Sequence, residues 1–247
     1  MARRIDERAG GSRALRKNAA PLSRARVVDA ALALVARDGL PAFSLRKLGV
    51  ALGVEAMSVY HYFPSKHHLL DALVDHAIAT VEMPSATLSP IAQLRELCYA
   101  YRAMAHRFPK LYPLIALHRL NTPTGVRFIE RVLALLHAVA PEPESMARQF
   151  RAVGYFLTGA ALDETSGYAR GPSAAEPVDD AFIARNCPRL TSVARYFKRP
   201  EWDATFAFGL DALIAGFAAA AEPAPQRAIT FTDAPKRRRR NTGTDAS

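Results

Sequence analysis

Apolar residues recur at intervals of three and four along nearly the whole chain. Val28, Ala31, Leu32 and Val35 follow the i, i+3, i+4, i+7 pattern, as do Leu94, Leu97, Cys98 and Tyr101, and again Leu210, Leu213, Ile214 and Phe217. That spacing lines up one stripe on the side of a helix. Alternating polar and apolar runs of strand length are missing, so the expected fold class is all-α. Gly39-Leu40-Pro41, Gly53 and Phe63-Pro64-Ser65 divide the first helices, and residues 84–90, 121–125, 141–143 and 167–180 read as later connections. The most membrane-like stretch, residues 206–221, is shorter than the roughly 20 residues a spanning helix needs and carries Asp211 near its middle. It is expected to be a buried helix, with no membrane partner.

Charge is distributed unevenly along the 247 residues. Of the formal net charge of +10, residues 1–26 supply eight Lys/Arg against two acids and residues 236–247 supply five against one, while the span between is balanced. Basic ends on a neutral body suggest a polyanion partner, because Lys and Arg that neutralise phosphates release counterions. Residues 1–22 and 223–247 lack apolar periodicity and are expected to be disordered basic arms. The two cysteines, Cys98 and Cys187, fit neither a disulfide framework nor a zinc module. The opening MARRIDERAGGSRALRK breaks every apolar run with charge, which argues against a secretory signal. The expected compartment is the cytoplasm.

Residues 23–72 pack several short helices into too small a span for a deep core of their own. Ser44 is placed to cap a helix whose inner face is Leu45, Leu48 and Leu52, leaving Arg46 and Lys47 outside. Gly53 follows where the chain needs a positive φ, and a second helix begins near Ala56. This is helix-turn-helix spacing. The second helix would bury Val59 and Phe63 and present Met57, Ser58, Tyr60, His61 and Tyr62, side chains able to meet base edges, thymine methyls and phosphates in a major groove.

The run LRKLGVALGVEAMSVYHYFPSKHHLLDAL, with Gly53-Val54 followed by Tyr60, Phe63, Lys66 and Leu69-Leu70, resembles the DNA-binding domain of the TetR family of bacterial repressors. The resemblance implies that Ser44 and Arg46 touch phosphate and a base edge. It implies further that Met57, Ser58, Tyr60 and His61 approach bases, that Tyr62 reaches phosphate, and that Lys66 anchors the DNA backbone. The basic residues Arg13, Arg16, Lys17, Arg24 and Arg26 are expected to add affinity at phosphates or an adjacent minor groove.

Residues 73–222 are expected to form a ligand-binding and dimerisation domain. The stretch from Phe206 to Gly216, and Ala152-Val153-Gly154-Tyr155-Phe156 with Gly159, resemble the two long helices that form the dimer interface in the tetracycline-repressor class. Small residues Gly154, Gly159, Ala160, Gly209 and Gly216 would allow close helix approach, and the stripe with Leu213 and Phe217 would need a cover. The competing reading is an intramolecular core. Tyr101, Met104, Phe108, Leu117, Phe128, Val132 and Phe156 could fill a core or line a pocket, and the resemblance favours a pocket. His118 falls where that class holds a drug-bound magnesium, and Asp163 falls near its acidic partner. The positions of the other drug anchors read Glu82, Ala100 and Met104, so neither tetracycline nor a metal is expected, and His118 is expected to line the pocket. No cofactor is expected either.

No nucleotide, zinc-protease or hydrolase motif is present. Ser44-Leu45-Arg46-Lys47 matches the S-x-x-K spelling of serine acylases, but Ser44 has a capping role and Lys47 faces outward. The expectation is a non-enzymatic, homodimeric, sequence-specific regulator, a repressor released from a palindromic double-stranded operator by a small-molecule effector. The alternative is a nonspecific or architectural DNA-binding protein.

Overall fold

A computed structural model describes residues 21–166 and 174–220. The residues it describes are helical with no strand, as the spacing predicts. The two basic ends, residues 1–20 and 221–247, and part of the expected connection, residues 167–173, lie outside the described residues.

Four helices form the headpiece: α1 (Arg24–Asp38), α2 (Leu45–Leu52), α3 (Ala56–Tyr60) and α4 (Lys66–Ala79). Three begin at a serine whose hydroxyl accepts a backbone N–H: Ser23 from Arg26, Ser44 from Lys47 and Ser65 from His68. Gly39 at φ 82° and Gly53 at φ 70° close α1 and α2, conformations a Cβ would strain. Val27, Ala31, Phe43, Leu48, Val59, Phe63 and Leu69 meet in a small, fully buried core.

The body contains α5 (Pro90–Arg107), α6 (Tyr112–Leu117), α7 (Pro123–His137), α8 (Pro143–Ser166), α9 (Asp180–Asn186), α10 (Pro188–Val193) and α11 (Trp202–Ala220). Several start with proline, whose missing N–H costs nothing in a first turn. Helix α8 is central, packing on α5, α6, α7 and α11. A buried Arg102 makes a fork to Glu164 at 2.7 and 2.9 Å and a third bond to Asp203 at 2.8 Å, tying α5, α8 and α11. His106 Nε2 meets the same Glu164 at 2.7 Å.

Helix α4 joins the two parts. It packs on both α1 and α7. The expected boundary between residues 72 and 73 therefore falls inside a continuous helix. Between α8 and α11, α9 and α10 bury no residue against the subunit, and Val178, Phe182, Leu190, Val193, Tyr196 and Phe197 are exposed. No helix among the described residues is long and apolar enough to cross a membrane.

Candidate DNA interface and ligand cavity

The end of the headpiece presented by α3 is built on a close backbone crossing. A Cβ on Gly49 of α2 would stand 2.9 Å from the Val54 carbonyl oxygen and 3.0 Å from the Ala56 amide nitrogen. Only glycine lets the turn pass so near, and nothing in the sequence pattern singles out this position. Val59 and Phe63 are buried beneath α3, while Met57 is 66% and Tyr60 41% exposed, with His61 beside them. Their spacing places these three on one face. Ser58 is half-buried, and Arg46 is exposed on α2. Ser44 accepts from the Lys47 amide at 3.2 Å, so its oxygen serves the helix cap.

Lys66 stands exposed at the head of α4, with its ammonium 3.3 Å from the Phe43 carbonyl oxygen and 5.6 Å from the centre of the Phe43 ring. A lysine ammonium has three donors, so this bond leaves capacity for a phosphate. Tyr62 differs from the expectation. Its hydroxyl donates to the Leu22 carbonyl at 2.7 Å, not outward, because the chain entering α1 lies against the end of α3. Arg24 donates to the Tyr62 carbonyl, and its guanidinium lies 4.2 Å from the centre of the Phe63 ring.

In the body, a cavity of about 250 Å³ lies between α5, the end of α6, α7 and α8. It brings together Tyr101, His118, Phe128 and Val132 of the expected lining, with Cys98 and Thr158, and no Lys, Arg, Asp or Glu lines it. Burial pushes the Cys98 thiol up to about 12. Burial also raises the Tyr101 phenol, and the neighbouring Tyr112 raises it further. His118 Nε2 lies 2.9 Å from Asp71 Oδ1 on α4, while its Nδ1 is buried with no partner. One turn further along α4, Asp75 accepts from Thr122, the residue that caps α7.

Four expected lining residues stand elsewhere. Leu117, the last residue of α6, is 87% exposed because the chain leaves helical conformation at His118. Met104 is buried on another side of α5, beside Thr80, Glu82 and Ala100. Phe108 ends α5 and meets His76 edge-on at 6.2 Å. Phe156 packs on Phe206 at 5.1 Å, facing α11 rather than the cavity.

The residues expected at a dimer face also divide. A Cβ on Gly209 would stand 2.6 Å from Phe156, so this glycine serves the α8–α11 contact within one subunit. Phe217 is buried and Leu213 half-buried in the subunit's own core. Gly154 lies on the cavity wall. Gly159 and Gly216 are open, Ala160 is half-buried, and the same two helices expose Tyr155 at 66% and Phe208 at 76%. Asp163 is exposed on α8, and no group of three potential metal ligands occurs among the described residues.

Comparison with known proteins adds the family. Residues 27–73 match "Bacterial regulatory proteins, tetR family", and residues 87–221 match "Tetracyclin repressor-like, C-terminal domain". The HTH-type transcriptional repressor DrrR1 of Streptomyces coeruleorubidus is 29% identical over 146 residues, covering 56% of this chain; the chain spans only about half, 52%, of that relative. The tetracycline repressor protein class G of Vibrio anguillarum is 26% identical over 208 residues, covering 79% of this chain and 93% of that protein. The structure of the Streptomyces coelicolor TetR family protein ActR in complex with actinorhodin superposes with a TM-score of 0.67 at 27% identity, over 83% of this chain and 100% of that one. The two matched spans take in more than half of the chain and coincide with the headpiece and the helical body. This chain therefore belongs to the TetR family of DNA-binding transcriptional regulators, in the group with a tetracycline-repressor-like C-terminal domain.

Proposed function

We propose that the protein is a homodimeric repressor that holds a palindromic operator and releases it when a small, neutral, largely apolar molecule enters the body cavity. The observation that carries this reading is the shared His118, which lines the cavity and bonds to Asp71 of α4, the helix whose head bears Lys66. A molecule that presses on the His118 side of the cavity acts on α4, and a tilt of α4 changes where the headpiece sits. Release requires the ligand to favour the DNA-incompetent arrangement. The uncharged lining supports a neutral ligand, since an ion there would lose its hydration without a partner.

The exposed Tyr155 and Phe208, with open Gly159 and Gly216, support a second copy docking on α8 and α11. Met57, Tyr60 and His61 are the proposed base-reading residues, with Ser58 and Arg46 at the edge of that face and Lys66 on phosphate. The domain roles follow: residues 23–72 read DNA and residues 73–222 bind ligand and dimerise. The ActR structure with bound actinorhodin supports ligand control by analogy.

The test begins by letting the full chain select duplexes from a random pool. The expected product is an inverted repeat with half-sites about 34–36 Å apart, centre to centre. A panel of neutral aromatic compounds is then screened by thermal shift, and a hit is titrated calorimetrically with and without the selected duplex. Because coupling is reciprocal, DNA should weaken the hit by the factor the hit weakens DNA, about 5–150-fold. Identical affinities in the two titrations would sink induction. Equal affinity for selected and scrambled duplexes would instead favour nonspecific binding, the reading that the basic ends support.

A further inference from the structure

Helix α5 carries two stripes with the same i, i+3, i+4, i+7 spacing. Leu94, Leu97, Cys98 and Tyr101 face the cavity shared with α7 and α8. Tyr99, Arg102, Ala103 and His106 face the start of α11 instead. Between this second stripe and Arg199, Trp202 and Asp203 lies a hollow of about 500 Å³, open to solvent and sharing no lining residue with the apolar cavity. Its size falls in the roughly 300–1,000 Å³ range of small-molecule sites.

The wall of this hollow joins cations to flat rings. The Arg102 side chain is held by Glu164, which does not line the hollow, through Nε at 2.7 Å and Nη2 at 2.9 Å. Asp203 takes one Nη1 proton at 2.8 Å, so one N–H on each terminal nitrogen of Arg102 is left over. Arg199 pairs with no carboxylate, and its guanidinium stands 5.9 Å from the centre of the Trp202 ring. His106 lies tilted to that indole at 6.3 Å, and Tyr99 adds a further ring. Asp203 is the one acid among the lining residues. Its side chain is 92% exposed and its single bond is the one to Arg102. An ion pair with so exposed a partner contributes little.

We propose that this hollow is a second binding site of the body, for a small aromatic carboxylate. The ring of the ligand lies against Trp202 and Tyr99, and its carboxylate takes Arg199 and the outward N–H groups of Arg102 in place of Asp203. Guanidinium forks match a carboxylate in plane, which favours that anion over a halide or an ether oxygen. Arg102 and Arg199 against Glu164 and Asp203 sum to zero, yet the four charges are not equivalent. Glu164 is committed to Arg102 and His106, Asp203 stands in water, and Arg199 alone lacks a counter-charge. The site is independent of the apolar cavity and of the DNA-binding reading.

Trp202 is the single tryptophan of the chain, so its fluorescence reports on this hollow. The test titrates the full chain with phenylacetate by tryptophan fluorescence and by calorimetry, with phenylacetamide, acetate and phenylethylamine as comparisons. Phenylacetate should shift the emission saturably, with the same midpoint in both measurements. Phenylacetamide keeps the ring and loses the charge, and should bind about ten- to hundredfold more weakly. Acetate keeps the charge and loses the ring, and should also bind more weakly. Arg199→Ala should weaken phenylacetate about tenfold, with melting to check folding. Asp203→Asn removes the competing anion and should tighten phenylacetate about two- to fivefold. No saturable signal, equal affinity for phenylacetamide or acetate, or unchanged affinity in Arg199→Ala overturns the proposal. Weaker binding in Asp203→Asn, or tighter binding of phenylethylamine than of phenylacetate, overturns it as well and assigns the hollow to an ammonium.

Discussion

The headpiece and the body use apolar side chains to different ends. In the headpiece seven side chains from four helices and two loops close a core in which Val27, Leu48, Val59 and Leu69 have no exposure, and its serine caps and glycine turns all have partners or open space. The body is larger, yet it leaves about 250 Å³ unfilled, and the unpartnered buried polar atoms found among the described residues, on Tyr112, His118 and Gln149, all lie there. A filled core fixes one shape, as a surface that must match a groove requires. An unfilled one forgoes packing energy and keeps a place where a second molecule can change the balance.

The largest effect should come from opening the filled region. Phe63 is buried to 1% exposure, and Phe63→Ala should cost about 3–5 kcal/mol, enough to unfold a headpiece of this size. Loss of duplex binding with most of the body's helical signal retained is the expected outcome in gel shift and circular dichroism. Concerted loss of both parts would mean that α4 makes them one cooperative unit. Gly49→Ala should come next, costing about 1–3 kcal/mol, because its new Cβ meets backbone that cannot swing aside. A denaturation midpoint equal to the parent's would show that the α2–α3 crossing is looser than the 2.9 Å approach indicates.

The same contrast explains what could be read from the chain alone. The headpiece was legible because its determinants are local: Ser44 lies three residues from the amide it caps, and Gly53 sits at the end of the helix it closes. The cavity was legible where helix phase is regular, which delivers Tyr101, Phe128 and Val132. It failed at a helix end, where Leu117 turns to solvent. It failed also in α8, whose inner face holds Val153, Leu157 and Ala161, so that Phe156 rotates toward α11. Glycine on a long helix suggests a subunit interface by its spacing, yet Gly209 makes room for a phenylalanine of its own chain. The bonds from His118 to Asp71 and from Tyr62 to Leu22 join positions 47 and 40 apart, and no spacing rule reaches that far.

The link between the two regions gives a smaller and more selective prediction. Asp71 is half-buried and outside the cavity wall, so Asp71→Ala should leave headpiece stability and ligand affinity in the absence of DNA within about twofold. It should lower the coupling between ligand and duplex from the roughly 5–150-fold typical of allosteric coupling toward unity. Release of a labelled duplex by the screened compound measures this. Unimpaired release would assign the coupling to the Thr122–Asp75 bond or to packing of α4 on α7.

The smallest effect has the opposite sign and belongs to the unfilled region. Gly154 lies mid-helix in α8 on the cavity wall, its φ is not positive, and a Cβ built there meets nothing within 4 Å. Gly154→Ala therefore relieves the entropic cost of a helical glycine without a clash, and the chain should gain about 0.5–1 kcal/mol. The same change at Gly49, also helical, should destabilise, so the pair measures packing around two glycines in one protein. If Gly154→Ala instead raises stability at low protein concentration but lowers it as concentration rises and the dimer is populated, the added methyl meets a second copy. Sedimentation at two concentrations would then assign this part of α8 to the dimer interface as well as to the cavity wall.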